Sequence, residues 1–261
     1  MRPFLKENPK AIVGMIHCLP LPGTFGFKNN LEEVKKQALH DSKTLKEAGF
    51  TAIMIENMGD VPYAEKMEIE QIAALSAIAA LIKKEVDLPL GVDCAFSDYK
   101  SALAIAKAVD ASFVRIPVFV DTVIFSDGII YPSARKALSY REKIKADDVA
   151  VLADIQVKHS YMLNTEIDLK ESAKLAEANG ADAIVVTGMK TGQAASLNDL
   201  KMIKNLVKIP VYVGSGVNQK NIKEQLEVVD GCVIGSSIKP GGVIEKAVDL
   251  ELSKSLIKNS K

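Results

Sequence analysis

Five short apolar runs carry ionisable residues at or near their ends: His17 on the first, Glu56 on the second, Asp93 on the third, Arg115 on the fourth, and Asp154, Lys158 and His159 on the fifth. This is a set suited to moving protons. A carboxylate can take a proton from carbon while a cation or a backbone N–H steadies the oxyanion that forms, the chemistry of isomerases, epimerases and aldol-type lyases. Lys158 could form a Schiff base if its neighbours lowered its pKa, or could simply hold an anion, which is the commoner use. Two of the three histidines, His17 and His159, fall at strand ends, whereas His40 lies in mid-helix and reads as surface. On the fifth run Asp154, Gln156 and Lys158 are spaced by two, so they are expected on one face, with Ile155 and Val157 on the other. The bland reading is a paired network, Asp154 with Lys158 or Arg115 with Glu56, that merely plugs the interior. A divalent metal on His17, Glu56, Asp93 and Asp154 is conceivable, but no ligand spacing supports it.

A second set of residues could hold an anion. Between Ala181 and Gly242 three Val/Ile-rich runs each end in glycine with Ser or Thr: Thr187-Gly188, Gly214-Ser215-Gly216 and Gly235-Ser236-Ser237. Thr191 and Gly192 extend the first of these. Bare backbone at the start of the next helix offers N–H groups to a phosphate, and adjacent turns of this kind after the last strands are where an eight-fold barrel binds one. Glycines that only make tight turns are the alternative.

These residues need elements to position them. Strand candidates are Ala11–Cys18, Thr51–Asn57, Leu88–Cys94, Phe113–Val118 and Ala150–Lys158, followed by the three glycine-ended runs. Helices are expected at Leu31–Ala48 with Gly49 as its cap, then to about Val86, over Asp98–Val109, Ala134–Ile144, Leu169–Asn179 and Val243–Ile257. Strict alternation of strand and helix implies a parallel sheet, and eight repeats imply closure, so the expected fold is α/β, a single (β/α)8 TIM barrel over residues 1–261. Its rival, a doubly wound sheet, would want a glycine-rich phosphate loop after strand one, where this chain has LPLPG. Helix-to-strand connections are brief and strand-to-helix ones long, which puts the elaboration on the face where such barrels carry function.

Composition narrows the classes. Basic and acidic residues balance at 33 each, which argues against a nucleic-acid partner. No apolar stretch approaches the roughly 20 residues of a membrane helix, and no signal peptide is visible. Cys18, Cys94 and Cys232 are scattered and lack CxxC spacing, which fits a reduced cytoplasm. The expected partner is a small phosphorylated ligand, with self-association into a homo-oligomer left open.

Several blocks resemble the BtpA/SgcQ family of TIM barrels, related by fold to ribulose-phosphate-binding barrels: GMIHCLPLPG (Gly14–Gly23), AIMIENMGDVP (Ala52–Pro62), ADIQVKH (Ala153–His159), TGMKTG (Thr187–Gly192), GSGVNQKNI and VIGSSIKPGG. The resemblance spans nearly the whole chain. It implies the barrel independently of the strand count, and a phosphate-ester ligand. Cyanobacterial members are linked to photosystem I assembly or stability, and others to sugar uptake and metabolism. The chain departs from the family pattern in GVDCAFSD (Gly91–Asp98) and RIPVFVDTVIF (Arg115–Phe125), where asparagines are usual.

Overall fold

A computed structural model describes residues 1–188 and 195–261. Among these residues eight parallel strands close a barrel in the order β1 (Ala11–His17), β2 (Ala52–Glu56), β3 (Leu90–Asp93), β4 (Phe113–Ile116), β7 (Ala150–Ile155), β9 (Ala183–Thr187), β10 (Val211–Gly214) and β11 (Gly231–Ile234). Helices α2 (Leu31–Ala48), α3 (Ile69–Glu85), α4 (Tyr99–Ala108), α5 (Ala134–Lys143), α6 (Leu169–Ala178), α7 (Leu197–Leu206), α8 (Ile222–Val228) and α9 (Leu250–Asn259) alternate with them. The fold is the (β/α)8 barrel that strict alternation demands.

Strands without polar alternation are buried on both faces, and every residue of β1 and β7 is buried. Their two faces feed two cores. Ile12, Ile16, Ile53 and Ile55 pack outward under the helices. Val13, Met15, Met54, Phe113, Leu152, Val185, Tyr212 and Val233 fill the barrel. Two glycines make room for its largest rings: a Cβ on Gly91 would sit 2.2 Å from Phe113, and one on Gly231 2.4 Å from Tyr212.

Helix ends follow the sequence signals. Asn30 Oδ1 accepts from the Glu33 N–H at the start of α2, and Gly49, at φ 97°, ends that helix as expected. Asp98, Asp168, Ser196 and Asp249 cap α4, α6, α7 and α9 in the same way.

Two elements join those expected, and two boundaries need correction. A short helix, α1 (Pro3–Glu7), precedes β1, and its Phe4 stacks on Phe113 at 4.3 Å to close the barrel's N-terminal end. The long connection after β4 holds a hairpin, β5 (Val123–Phe125) with β6 (Gly128–Ile130), joined by β8 (Tyr161–Met162) into a small antiparallel sheet. The fifth barrel strand stops at Ile155 instead of Lys158, because Gln156 turns left-handed at φ 46° and its N–H goes to Asp121 Oδ2. The last helix starts at Leu250 and not at Val243, since Pro240-Gly241-Gly242 forms a separate turn with both glycines left-handed.

Candidate functional site

Barrel register brings the ionisable residues into a row. His17 pairs in register with Glu56, Glu56 with Asp93, and Asp93 with Arg115, so four neighbouring strands each place their last inward side chain at one level. Arg115 lies level with Leu152, and its long side chain reaches up one inward step to Asp154. There Nε donates to Oδ1 at 2.7 Å and Nη2 to Oδ2 at 2.6 Å, a bidentate pair with Asp154 fully buried. Arg115 Nη1 stands 3.6 Å from Asp93 Oδ2, and His17 Nε2 stands 3.6 Å from Glu56 Oε2.

Burial dominates the electrostatics. It pulls the His17 imidazole well below its usual range, with Lys239, Lys158 and Arg115 adding to the effect, so the ring is neutral near pH 7. Burial pushes Glu56 up, and pushes Asp93 up further with the help of the neighbouring Glu56 charge. Burial also lowers Lys158 and His159. Arg115 is opposed by burial too, but the Asp154 carboxylate outweighs it and holds the guanidinium protonated. Two atoms in the row are buried with no hydrogen-bond partner among the described residues: His17 Nδ1 and Asp93 Oδ1. Native interiors seldom leave such atoms unpaired without a reason.

Above the row opens a cavity. His17, Glu56, Asp93, Arg115, Lys158 and His159 line it together with Ser215, Gly216, Gly235 and Ser236. Met58, Tyr63, Phe96, Pro117, Val217 and Ile244 supply its apolar wall. Ser215 and Gly216 are both left-handed, at φ 69° and 67°. Gly235 is bare for a packing reason as well, since a Cβ there would come within 2.8 Å of the His17 ring.

The remaining sequence candidates lie elsewhere. Asp154 is not among the described residues that line the cavity; it sits beneath it and fixes Arg115. Gln156 does not share a face with Lys158, because its side chain donates to Ile167 O and Ser172 Oγ on the α6 side. Thr187 Oγ1 accepts from the Lys158 N–H at 3.3 Å, and Thr187 does not line the cavity. Gly214 gives space to Val185 and Thr187, whose atoms would be 3.0 and 3.2 Å from its Cβ. Gly188 is buried, and Ser237 Oγ is buried without a partner among the described residues; neither residue lines the cavity. Thr191 and Gly192 lie outside the described residues. Among the described residues no group of three or more His, Cys, Asp or Glu side chains is placed to hold a metal ion, and no helix is long and apolar enough to cross a membrane.

Two sequence blocks that carried the resemblance interlock around the mouth. A Cβ on Gly59 would lie 2.5 Å from the Pro20 nitrogen and 2.7 Å from Cys18 O, so only glycine lets the loops after β1 and β2 cross there. Asp60 Oδ1 accepts from the Leu21 N–H, and Asn57 Oδ1 from the Ala95 N–H, lacing the loops after β1, β2 and β3 together. Neither Asn57 nor Asp60 stands out in the sequence as a site residue, and both act by positioning loops. The apolar wall went unread for a different reason: Tyr63 and Phe96 lie in loops without periodicity.

Fold and site together define a (β/α)8 barrel with a cavity lined by ionisable residues that opens at the C-terminal ends of its strands, beside Gly/Ser turns after the last two. The chain belongs to the BtpA family, whose sequence profile matches residues 8–261. It is 39% identical over 255 residues to an uncharacterised protein of Pyrococcus furiosus, covering 97% of this chain and 96% of that one. It is 33% identical to the photosystem I biogenesis protein BtpA of Synechocystis, covering 94% of this chain and 85% of that one. Among solved structures it is similar to (S)-3-O-geranylgeranylglyceryl phosphate synthase from Thermoplasma acidophilum in complex with sn-glycerol-1-phosphate, with a TM-score of 0.63 at 15% identity, covering 98% and 95% of the two chains. It is also similar to thiamine phosphate pyrophosphorylase from Pyrococcus furiosus, with a TM-score of 0.59 at 20% identity, covering 98% and 97%. At those identities the likeness is one of fold.

Proposed function

We propose that the chain is an enzyme acting on a small phosphorylated metabolite, a sugar or nucleoside phosphate, by proton-transfer chemistry of the isomerase, epimerase or aldolase type. One observation carries this reading: a single cavity is lined by the Ser215-Gly216 and Gly235-Ser236 turns and by His17, Glu56, Asp93, Arg115 and Lys158. In it the phosphate rests on the bare backbone of the two turns, with the Lys158 ammonium as counter-charge. The carbon chain then reaches the row, where Glu56 takes or returns a proton and Arg115, held in place by Asp154, steadies the developing oxyanion. Neutral His17 is available to pass a proton at the same level. That two barrels of similar fold carry phosphate compounds in their names agrees with the reading and is analogy of fold only.

Thermal unfolding against sugar phosphates, nucleotides, inorganic phosphate and the unphosphorylated sugars tests it. A ligand at about 100 times its dissociation constant adds roughly 2.7 kcal/mol, which in a chain of this size raises the midpoint by about 5–10 °C. A shift confined to phosphorylated compounds is the expected result. No shift with any of them, in protein free of carried-over ligand, would remove the phosphate reading.

A second reading has one observation behind it. Tyr161, Ile124 and Ile129 stand in register across the outer face of the small sheet and are 78%, 41% and 45% exposed. Such a row suits a non-catalytic assembly or regulatory factor, as the name of the Synechocystis relative would suggest. A stable co-purifying protein, with no turnover of any phosphorylated compound, would favour it.

A further inference from the structure

The two carboxyl groups on the floor of the cavity, Glu56 and Asp93, are short of hydrogen-bond donors. Asp93 is 1% exposed and lines the cavity, yet its Oδ1 meets no donor among the described residues. Its other oxygen faces Arg115 Nη1 at 3.6 Å, beyond a good hydrogen bond. The Glu56 carboxylate, next to it in register, makes no hydrogen bond among the described residues and has the His17 ring at 3.6 Å. Arg115 cannot turn to either, because Nε and Nη2 are committed to Asp154.

We infer that Asp93 determines specificity: its Oδ1 accepts a hydrogen bond from a hydroxyl on the unphosphorylated end of the ligand, and the site thereby rejects phosphorylated carboxylic acids. This rests on the phosphate reading above for the other end of the ligand. Neighbouring strands lie about 4.8 Å apart, so Glu56 and Asp93 present acceptors side by side, as two adjacent hydroxyls require. A ligand carboxylate would bring only further acceptors to the two carboxyl groups on the floor, Glu56 and Asp93, and would leave Asp93 Oδ1 unpaired. Sites that bury a group for one hydrogen bond discriminate strongly against ligands that cannot make it. Burial raises both acids, and the Glu56 charge raises Asp93 further, which lessens the pull of the pair on an ammonium group and agrees with a neutral hydroxyl as the donor.

Titration calorimetry with ribose 5-phosphate, 3-phosphoglycerate, phosphoethanolamine, inorganic phosphate and ribose tests the assignment on the wild-type chain and on Asp93→Asn. The wild type should bind ribose 5-phosphate at least tenfold more tightly than inorganic phosphate or 3-phosphoglycerate. In Asp93→Asn the amide oxygen can keep the Arg115 side and turn the NH2 to the ligand. Ribose 5-phosphate should then lose at least tenfold, inorganic phosphate should stay within twofold, and 3-phosphoglycerate should gain. Asp93→Ala, which leaves the Arg115–Asp154 pair intact, serves if the amide variant does not fold, with the same loss expected for ribose 5-phosphate. A wild-type preference for 3-phosphoglycerate or phosphoethanolamine overturns the assignment, as does a variant that keeps the ribose 5-phosphate preference. Inorganic phosphate binding as well as ribose 5-phosphate sinks the role of Asp93 alone. Ribose binding as well as its phosphate, with the Asp93 dependence kept, sinks the phosphate reading alone, and silence from every probe sinks both.

Discussion

Two rows of side chains, two residues apart on the same four strands, share one register and one face and have opposite chemistry. The lower row is Met15, Met54, Gly91 and Phe113; the upper is His17, Glu56, Asp93 and Arg115. Only about 6–7 Å of strand separates them. The lower row is closed by Phe4 beneath Phe113 and filled by the ring that Gly91 admits. It has no polar side chain to satisfy, and of its four members only Met15 reaches the cavity. The upper row is less deeply buried, with Asp93, Arg115 and His17 at 1%, 7% and 8% exposure and Glu56 only partly buried; it is capped by a cavity and leaves two polar atoms unpaired. The difference teaches where the fold ends and the site begins: at the last inward position of each strand, where packing no longer has a partner above it.

The comparison breaks most visibly at Arg115. Arg115→Met leaves Asp154 fully buried with both oxygens unpaired, a loss of about 3–5 kcal/mol. Phe113→Ala in the lower row should cost a similar ~3–5 kcal/mol, by opening a void. Urea unfolding of the double variants separates the two causes. Adding Asp154→Leu to Arg115→Met should recover most of the loss, because a buried ion pair can be replaced by apolar side chains with little net cost. Loss of under about 1 kcal/mol for Arg115→Met alone would show that the pair does not hold the upper row together.

A smaller effect sharpens the lower row. Gly91→Ala places a methyl group 2.2 Å from the Phe113 ring, and the ring has Phe4 behind it. Overpacking of this kind costs about 1–3 kcal/mol. Adding Phe113→Leu, which takes the ring away, should return part of the stability. If Gly91→Ala is neutral by itself, the ring has room to move and the lower row is not close-packed.

The sequence could reveal the rows in unequal measure. Runs such as AIVGMIH are buried on both faces, so the barrel strands were legible without alternation, and so were the polar residues at their ends. Pairing was not. The candidates were Asp154 with Lys158 or Arg115 with Glu56, whereas the pair formed is Arg115 with Asp154. The stagger that sets Arg115 level with Leu152 comes from closure of the whole barrel, which no single strand encodes. The sequence pattern makes the fifth strand three residues too long because a period-two pattern continues through Gln156 and Lys158, while its end depends on Asp121, 35 residues away. The hairpin at Val123–Ile130 did have a local signal, Asp127-Gly128 between β-branched runs, and the length of the loop obscured it. Phe4 and Leu5 were overlooked because five residues of helix carry no period to recognise.

The finest distinction between the rows is their response to pH, since only the upper one titrates. His17 is held below its unfolded value, so as pH falls through about 6.5 the unfolded chain takes up a proton that the native ring refuses. Native stability therefore falls with acidification below pH 6.5, by at most about 1.4 kcal/mol per pH unit for this one group. Asp93 and Glu56 are held above theirs, so their contribution runs the other way: full at pH values below the ordinary carboxylate range, and lost as pH rises and the buried acids must ionise. Between pH 7.5 and 5.5 the urea midpoint of the wild type reflects the balance of these opposed contributions, and His17→Gln should lack the acid-side fall that the ring adds, so that its midpoint rises relative to the wild type's as pH falls, whatever the offset between the two proteins. Some slope must remain, because burial and Lys158 also hold down His159 at the rim. Met54→Leu in the lower row should shift the whole curve without changing its shape. An unchanged slope in His17→Gln would mean that the buried ring takes its proton in the folded protein, and the upper row would then carry a cation on β1 where the proposed chemistry needs a neutral imidazole.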